Sequence, residues 1–264
     1  MAILKYELRQ LRFYTLWWAL ASALFIYAAL PSYLDLLNPA ALETSSLGDA
    51  GIFSMLGVDV DVLTAPIGVF GFLTSVLVIA AGINGMFAGL KTFSNETIRK
   101  SAEFIYTKPF SRNKVFCAKI SAALISVLIV GICYYAASMA SAFTNVSQGF
   151  DFGQFSLVAL SFPLTGLFFV LFGALVGVLH PKIRTPLLLS TGAVFLFYVL
   201  AAFAGKMQAD VIKLITPFSY FSTSSIVNSG GYAGASLAAL VVLCICFSVI
   251  GITVFAKKDI TILS

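Results

Sequence analysis

The densest group of ionisable side chains lies in one segment, "SNETIRKSAEFIYTKPFSRNKVF" at residues 94–116. From Lys91 to Lys119 the chain has seven basic and two acidic residues. Glu96 and Lys100 are four positions apart, as are Arg99 and Glu103. At that spacing opposite charges meet on a helix and stabilise it by about 0.2–0.5 kcal/mol per pair. Such pairs present charge to a partner; they do not break bonds. The chemistry predicted for this segment is therefore docking.

Residues that would indicate catalysis or nucleotide binding are few. The one histidine, His180, ends an apolar run, a position that favours a helix C-terminus over catalysis. The stretch "GMFAGLKT" at 85–92 resembles a phosphate loop, but Leu90 precedes Lys91 where the motif needs a glycine. Four cysteines lie at or within apolar runs, where small helix residues are expected and no disulfide framework is: Cys117, Cys133, Cys244 and Cys246. We expect no enzyme activity, cofactor or metal in this chain.

The composition predicts a membrane protein. Hydrophobic residues make up 60% of the 264 residues and charged residues 10%, against about 45–50% and 25% in soluble domains. Six uncharged apolar runs are long enough to cross a hydrocarbon core ~30 Å thick. They are 13–30, 67–90, 120–142, 155–179, 186–204 and 237–256. The runs do not alternate as barrel strands do. We therefore predict a single all-α domain over 1–264 with six transmembrane helices.

The charges predict an orientation. Segments 1–12, 91–119, 180–185 and 257–264 hold 14 of the 16 Lys and Arg residues. The intervening segments hold only Lys206 and Lys213, with seven acidic residues. The positive-inside rule then places both termini in the cytoplasm. The net charge of +5 is thus a topology signal, and no nucleic-acid partner is expected.

The polar groups inside the predicted spans are uncharged. None of the spans contains an ionisable residue, which argues against ion-coupled transport, proton relays and voltage sensing. Asn84 is the costliest group to bury and could bond across helices. Small residues are predicted to let helices pack closely: Gly82, Gly85, Gly89, Gly166, Gly173 and Gly177. Pro163 and Pro186 are predicted to kink or start helices. Any uphill transport must take its energy from another subunit.

Two regions outside the spans are predicted to have structure. Residues 2–12 form an amphipathic helix, either a separate elbow helix in the membrane interface or a continuation of the first span. We do not expect this segment to be cleaved as a signal peptide. The segment 205–236 is too apolar for a free loop, and short helices dipping toward the membrane are expected there. Its apolar residues are Val211, Ile212, Ile215, Phe218 and Phe221.

The charged segment is predicted to form a short helix over 95–107, beginning at a cap on Ser94 or Asn95 and ending before Pro109. An apolar stripe on one face consists of Ile98, Ala102 and Ile105. A short amphipathic helix joined at both ends to spanning helices can act as a lever that receives force from a cytoplasmic partner.

The segment "KSAEFIYTKPFSRNKVFCAKI" resembles the cytoplasmic segment of ABC-2 type permeases, the membrane subunits of ATP-driven exporters. The residues that match the family pattern are Glu103, Phe104, Ile105, Pro109, Ser111, Arg112 and Lys119. "ITPFSYF", "FAKKDI" and the amphipathic N-terminus are also family-like. Within the family, the chain is most similar to small permeases of bacterial peptide and lantibiotic exporters, including that for phenol-soluble modulins.

The resemblance implies a function and partners. Two permease chains would pair and each would dock a separate ABC ATPase, which binds ATP and Mg²⁺, through the coupling helix between spans two and three. The residues implied in this coupling are Glu96, Arg99, Lys100, Glu103, Lys108, Pro109, Ser111 and Arg112. We expect an exporter of an amphipathic peptide or lipid-like substrate in the bacterial plasma membrane. One alternative is a passive channel or structural membrane subunit, but the spans do not offer the polar or charged lining that a channel needs. Another is a membrane enzyme, but the chain offers no recognisable catalytic residues.

Overall fold

The computed structural model describes residues 2–36, 65–99, 112–146, 150–180, 182–207 and 213–257. These residues form helices and no strand. The helices are α1 (Ala2–Leu36), α2 (Pro66–Arg99), α3 (Arg112–Asn145), α4 (Phe152–Leu179), α5 (Pro186–Met207), α6 (Thr223–Ser229) and α7 (Gly234–Lys257), with a 3₁₀ turn at Pro217–Ser219. Within this described part, all but α6 and the 3₁₀ turn are long and apolar enough to cross a membrane. The prediction of six spans is confirmed.

Local signals explain where several helices begin. Pro186 is the first residue of α5, as predicted, because proline lacks the N–H that a first helical turn leaves unbonded. Asp151 caps α4 by accepting a hydrogen bond from the Gly153 N–H at 2.9 Å. Pro163 starts no helix; it lies inside α4 and packs against α3 at Gly131.

Two helices are longer than the sequence predicts. α1 is continuous from Ala2, so residues 2–12 continue the first span and no separate elbow helix is seen. α2 continues to Arg99, and at 34 residues it is about 51 Å long. Ser94 therefore lies inside α2, where its hydroxyl donates to the Leu90 carbonyl at 2.9 Å. The prediction that a helix begins at a cap on residue 94 or 95 is wrong, because no glycine or proline interrupts α2 after Leu90. Residues 100–107 lie outside the described residues.

α1 and α3 are parallel neighbours joined by polar side chains. Three contacts follow both helices in the same order: Glu7 with Lys119, Thr15 with Ser126, and the Tyr27 carbonyl with Ser141. Thr15 and Ser126 share a hydrogen bond between their buried hydroxyls. The Ser141 hydroxyl donates to the Tyr27 carbonyl at 3.2 Å. Polar contacts of this kind associate helices in a membrane, where burial of apolar surface gives no advantage over contact with lipid.

α2 and α4 form a second parallel pair, joined mainly by glycine. Gly85 lies against the backbone of Gly166, and Gly173 lies against the backbone of Met86. A methyl group added at Gly89 would overlap the Val170 carbonyl oxygen and lie 2.7 Å from the Ala174 nitrogen. The predicted close packing through small residues is confirmed, and it is packing of backbone on backbone.

The glycine contact predicts a selective effect of one methyl group. Gly89→Ala must push α2 and α4 apart and should destabilise the protein by about 1–3 kcal/mol, as overpacking does. Gly192→Ala on α5 is the matched control, since a methyl group there meets nothing within 4 Å. It should be neutral or stabilising by up to about 1 kcal/mol, because alanine favours helix. Thermal unfolding of both variants in detergent measures the difference; equal melting temperatures would contradict the close contact.

Asn84 differs from its prediction. It is 1% exposed, but neither its side-chain oxygen nor its side-chain nitrogen has a partner among the described residues. The hydrogen bond across helices at this level comes from Tyr14, whose hydroxyl donates to the Asn84 backbone carbonyl at 3.3 Å. The cross-helix bond predicted for the Asn84 side chain is therefore not made among the described residues, and the backbone carbonyl accepts one in its place.

The described residues 213–233 pack back onto the bundle. Phe221, between the 3₁₀ turn and α6, and Ile226 in α6 are buried. The Phe218 ring lies 5.6 Å from that of Phe169 in α4. Tyr232 donates its hydroxyl to the Leu157 carbonyl of α4. The expectation of short helices in this segment is confirmed for these residues; Val211 and Ile212 lie outside the described part.

Candidate functional site at the basic end of the bundle

The topology brings the basic segments together at one end of the bundle. α1 and α3 begin there, and α2, α4 and α7 end there. We call this the basic end, after the described basic residues Lys5, Arg9, Arg12, Lys91, Arg112, Lys114, Lys119, Lys182, Arg184 and Lys257. The clustering agrees with the charge pattern of the sequence. That this end faces the cytoplasm stays a prediction.

The predicted coupling residues belong to the last turns of α2, the first turn of α3 and the segment between them. Arg112 is the first residue of α3, and its guanidinium donates to the Ala256 carbonyl at 3.2 Å. Basic groups are favoured at helix C-termini, where carbonyls are unbonded, so Arg112 holds the start of α3 to the end of α7. Glu96 and Arg99 belong to the last turns of α2, with side chains outside the described part. The others lie outside the described residues: Lys100, Glu103, Lys108, Pro109 and Ser111.

An aromatic cluster joins the same helix ends. The ring of Phe93 in α2 lies 5.4 Å from that of Phe116 in α3 and 5.9 Å from that of Phe255 in α7. The Phe116 and Phe255 rings are 5.5 Å apart. Phe93 and Phe116 are buried. The three helix ends are therefore packed into one unit directly beside the segment that is predicted to dock a partner.

A buried ion pair joins α1 to this unit. Lys119 of α3 is 1% exposed, and its ammonium lies 3.1 Å from the Glu7 carboxylate of α1. The same ammonium donates to the Thr92 carbonyl of α2 at 2.8 Å and lies 5.6 Å from the Phe93 ring centre. A single buried cation of α3 thus contacts both α1 and α2. Burial of two charges is costly, and good geometry with additional hydrogen bonds is what offsets the cost.

The sequence reasoning missed this pair. Glu7 was not expected to have a special role, and Lys119 was noted only as part of the family pattern. The observed helices start earlier than the predicted spans, so both ionisable groups lie inside the bundle. Lys119 is seven residues, or about 10 Å, along α3 from Arg112. A signal was present: Glu7 is the only acidic residue among the basic residues of 1–12.

Packing, hydrogen bonds and an ion pair connect the helices at the basic end. The described part of the chain has no group of three or more His, Cys, Asp or Glu that could hold a metal. His180 is exposed and ends α4, where its backbone N–H donates to the Val176 carbonyl at 2.9 Å, as expected for a helix end. The ion pair, the Arg112 hydrogen bond and the aromatic cluster join α1, α2, α3 and α7, and we call this set of contacts the junction.

Comparison with known proteins identifies a family for this chain. A family model described as "ABC-2 family transporter protein" matches residues 1–260. A comparison with curated proteins found no match to an individual relative. The family match includes all six long apolar helices and the whole segment between α2 and α3. Permeases of this family generally work with a cytoplasmic ATPase subunit. The chain therefore belongs to the ABC-2 transporter family and is a multi-pass membrane permease.

Proposed function

We propose that this chain is the membrane subunit of an ATP-driven exporter and that a separate cytoplasmic ATPase supplies the energy. The observation that carries the proposal is the junction at the basic end. The only chain connection between α2 and α3 is the charged segment, and the helices at both of its ends are tied to each other and to α1 and α7. A force applied to this segment would reach four helices at once.

The ATPase is proposed to dock on the charged segment itself. Its eight coupling residues include carboxylates, cations and a serine hydroxyl, which suit a polar interface with another protein. Arg112 lies at the inner edge of this interface and already bonds to α7. Movement of the docked ATPase would thus enter the bundle through the start of α3 and the end of α2.

The substrate is proposed to be an amphipathic peptide or lipid-like molecule, carried by a pair of identical permease chains with two ATPases. Large apolar side chains on α1 and α5 are left uncovered within one chain. They include Phe13, Trp17, Phe25, Leu188, Leu196 and Phe203. Faces of this kind suit lipid, a second permease chain and an amphipathic substrate. Peptide exporters such as that for phenol-soluble modulins remain the proposed subgroup, and the bacterial plasma membrane the proposed location.

The division of labour between permease and ATPase has a direct test. The isolated chain should bind no nucleotide, since the "GMFAGLKT" stretch lies in α2 and lacks the glycine before lysine. An ABC ATPase from the native membrane should co-purify with the chain and hydrolyse ATP in liposomes. Equilibrium binding of a fluorescent ATP analogue to the isolated chain measures the first point. Saturable binding, or isolation of the chain without any ATPase, would favour a self-sufficient protein or a passive channel.

The proposed orientation predicts a pattern of thiol labelling. Single cysteines at Ser45 and Ser229, in a background without native cysteines, should react with an impermeant thiol reagent on whole cells. A cysteine at Ser111 should react only after the cells are permeabilised. Ser229 is exposed at the end of α6 and is a suitable reporter. Labelling of Ser111→Cys on intact cells would contradict the assignment of the basic end to the cytoplasm.

A further inference from the structure

We propose that Glu7 and Lys119 are positioning residues that transmit movement of the ATPase-docking segment to α1. The inference rests on the proposed function, and it assigns a role to a residue pair that lies outside the docking segment. Its basis is the geometry of the pair: one ammonium, buried in the bundle, held at once by a carboxylate of α1 and a carbonyl of α2.

The pair lies close to both ends of the docking segment. Thr92 lies four residues before Glu96, the first of the proposed coupling residues, and Lys119 lies seven residues after Arg112, the last of them. These separations are about 6 Å along α2 and about 10 Å along α3. Displacement of either end acts on the same ion.

Through Glu7, α1 makes a charged contact with α3, one of the helices that flank the docking segment. Its chain connection to α2 leaves from Leu36, at the opposite end of the bundle. Farther along, α1 meets α3 through neutral contacts, the hydroxyls of Thr15 and Ser126 and the Tyr27 carbonyl with Ser141. At the basic end the charged contact is made by Glu7, which is 4% exposed. Lys91 adds a weaker contact, with its ammonium 5.6 Å from the Tyr14 ring centre.

Stability alone does not explain why the bundle contains these charges. Well-packed apolar residues of similar volume often replace a buried ion pair with no loss of stability. A charged contact differs from an apolar one because it has a fixed register: Lys119 cannot slide along α1 without losing the Glu7 carboxylate. At the basic end the pair therefore fixes the register of α1 against α3, which an apolar contact at the same place would not do.

The experiment compares neutral and swapped pairs. Ser32→Cys, in a cysteine-free background, reports on the far end of α1; Ser32 is exposed, and its hydroxyl bonds only within its own helix in the described structure. The permease is reconstituted with its co-purified ATPase, and the rate of thiol labelling is measured before and after trapping with ATP, Mg²⁺ and vanadate. The variants are Glu7→Leu with Lys119→Met, and Glu7→Lys with Lys119→Glu. Arg9→Leu, an exposed residue of α1, is the matched control.

The wild type and the control should change their labelling rate by about tenfold on trapping, as when a minor state becomes the major one. The swapped pair should respond less than the wild type, because a carboxylate at position 119 keeps the ion pair with α1 but cannot donate to the Thr92 carbonyl of α2. The neutral pair should hydrolyse ATP with its ATPase bound, but its labelling rate should not change. A neutral pair that responds like the wild type would overturn the inference, and so would a wild type that does not respond. The inference would also be overturned if the neutral pair were the one variant that fails to retain its ATPase, since the charges would then stabilise the fold and not transmit movement. Failure of the wild type to hold an ATPase would instead overturn the proposed function.

Discussion

Lys119→Met alone should destabilise the protein by about 3–5 kcal/mol, the usual effect of leaving one member of a buried ion pair without its partner. The variant removes the ammonium that contacts the Glu7 carboxylate, in a site where both side chains are almost fully buried. Adding Glu7→Leu to Lys119→Met should recover most of the loss, because the second change removes the charge that the first one strands. The stability of both variants can be measured by chemical unfolding in detergent, with the exposure of buried aromatic residues as the signal.

The control for this prediction is Arg9→Met, on the exposed face of the same helix. It also removes one positive charge from the basic end but should change the stability by no more than about 0.5 kcal/mol. If Lys119→Met and Arg9→Met unfold at the same denaturant concentration, the ion pair makes no net contribution to stability. If the double variant is no more stable than Lys119→Met, the loss comes from packing of the lysine side chain and not from a stranded carboxylate.

Glu103→Lys should weaken docking of the ATPase by about 2–5 kcal/mol, a loss of tens-fold or more in affinity, because it places a clashing charge at the proposed interface. Within the predicted helix the same change replaces an attraction to Arg99 by a repulsion of only a few tenths of a kcal/mol. Membrane insertion and pairing of the permease should therefore be intact, while transport-linked ATP turnover stops. Co-purification of the ATPase and its activity in liposomes measure the two effects.

Asp49→Lys is the matched charge reversal on the opposite side of the membrane in the proposed orientation. It should leave both docking and ATP turnover unchanged. A Glu103→Lys variant that retains its ATPase as tightly as Asp49→Lys, with normal turnover, would show that Glu103 has no part in docking. The basic residues of 91–119 would then serve the orientation of the chain and not its coupling.

The sequence predicts the spans of this protein well, because a hydrocarbon core imposes length and apolarity on each helix separately. The six apolar runs all became helices, and the small residues around Gly85 and Gly173 pack as expected. Helix ends are less predictable. No residue between Leu90 and Arg99 interrupts a helix, so α2 continues through Ser94. The Ser94 hydroxyl therefore donates to the preceding Leu90 carbonyl and does not cap a new helix.

The ion pair could not be predicted for a different reason. Glu7 and Lys119 are 112 positions apart, and only the parallel arrangement of α1 and α3 brings them together. The rule that assigns basic residues to the membrane surface also placed Lys119 outside the third span, although the structure buries it. Charge patterns report where a segment lies in a membrane, but they do not report which helices are neighbours.

The parallel pairing of α1 with α3 also has a consequence for biosynthesis. At about 5–20 residues per second, a ribosome needs roughly 6–22 s to proceed from Glu7 to Lys119. During that interval α1 is complete but its carboxylate has no ammonium on α3, so burial of Glu7 is unfavourable. A nascent chain interrupted before Lys119 carries a charge that it cannot bury, and this distinguishes it from a chain long enough to form the α1–α3 pair.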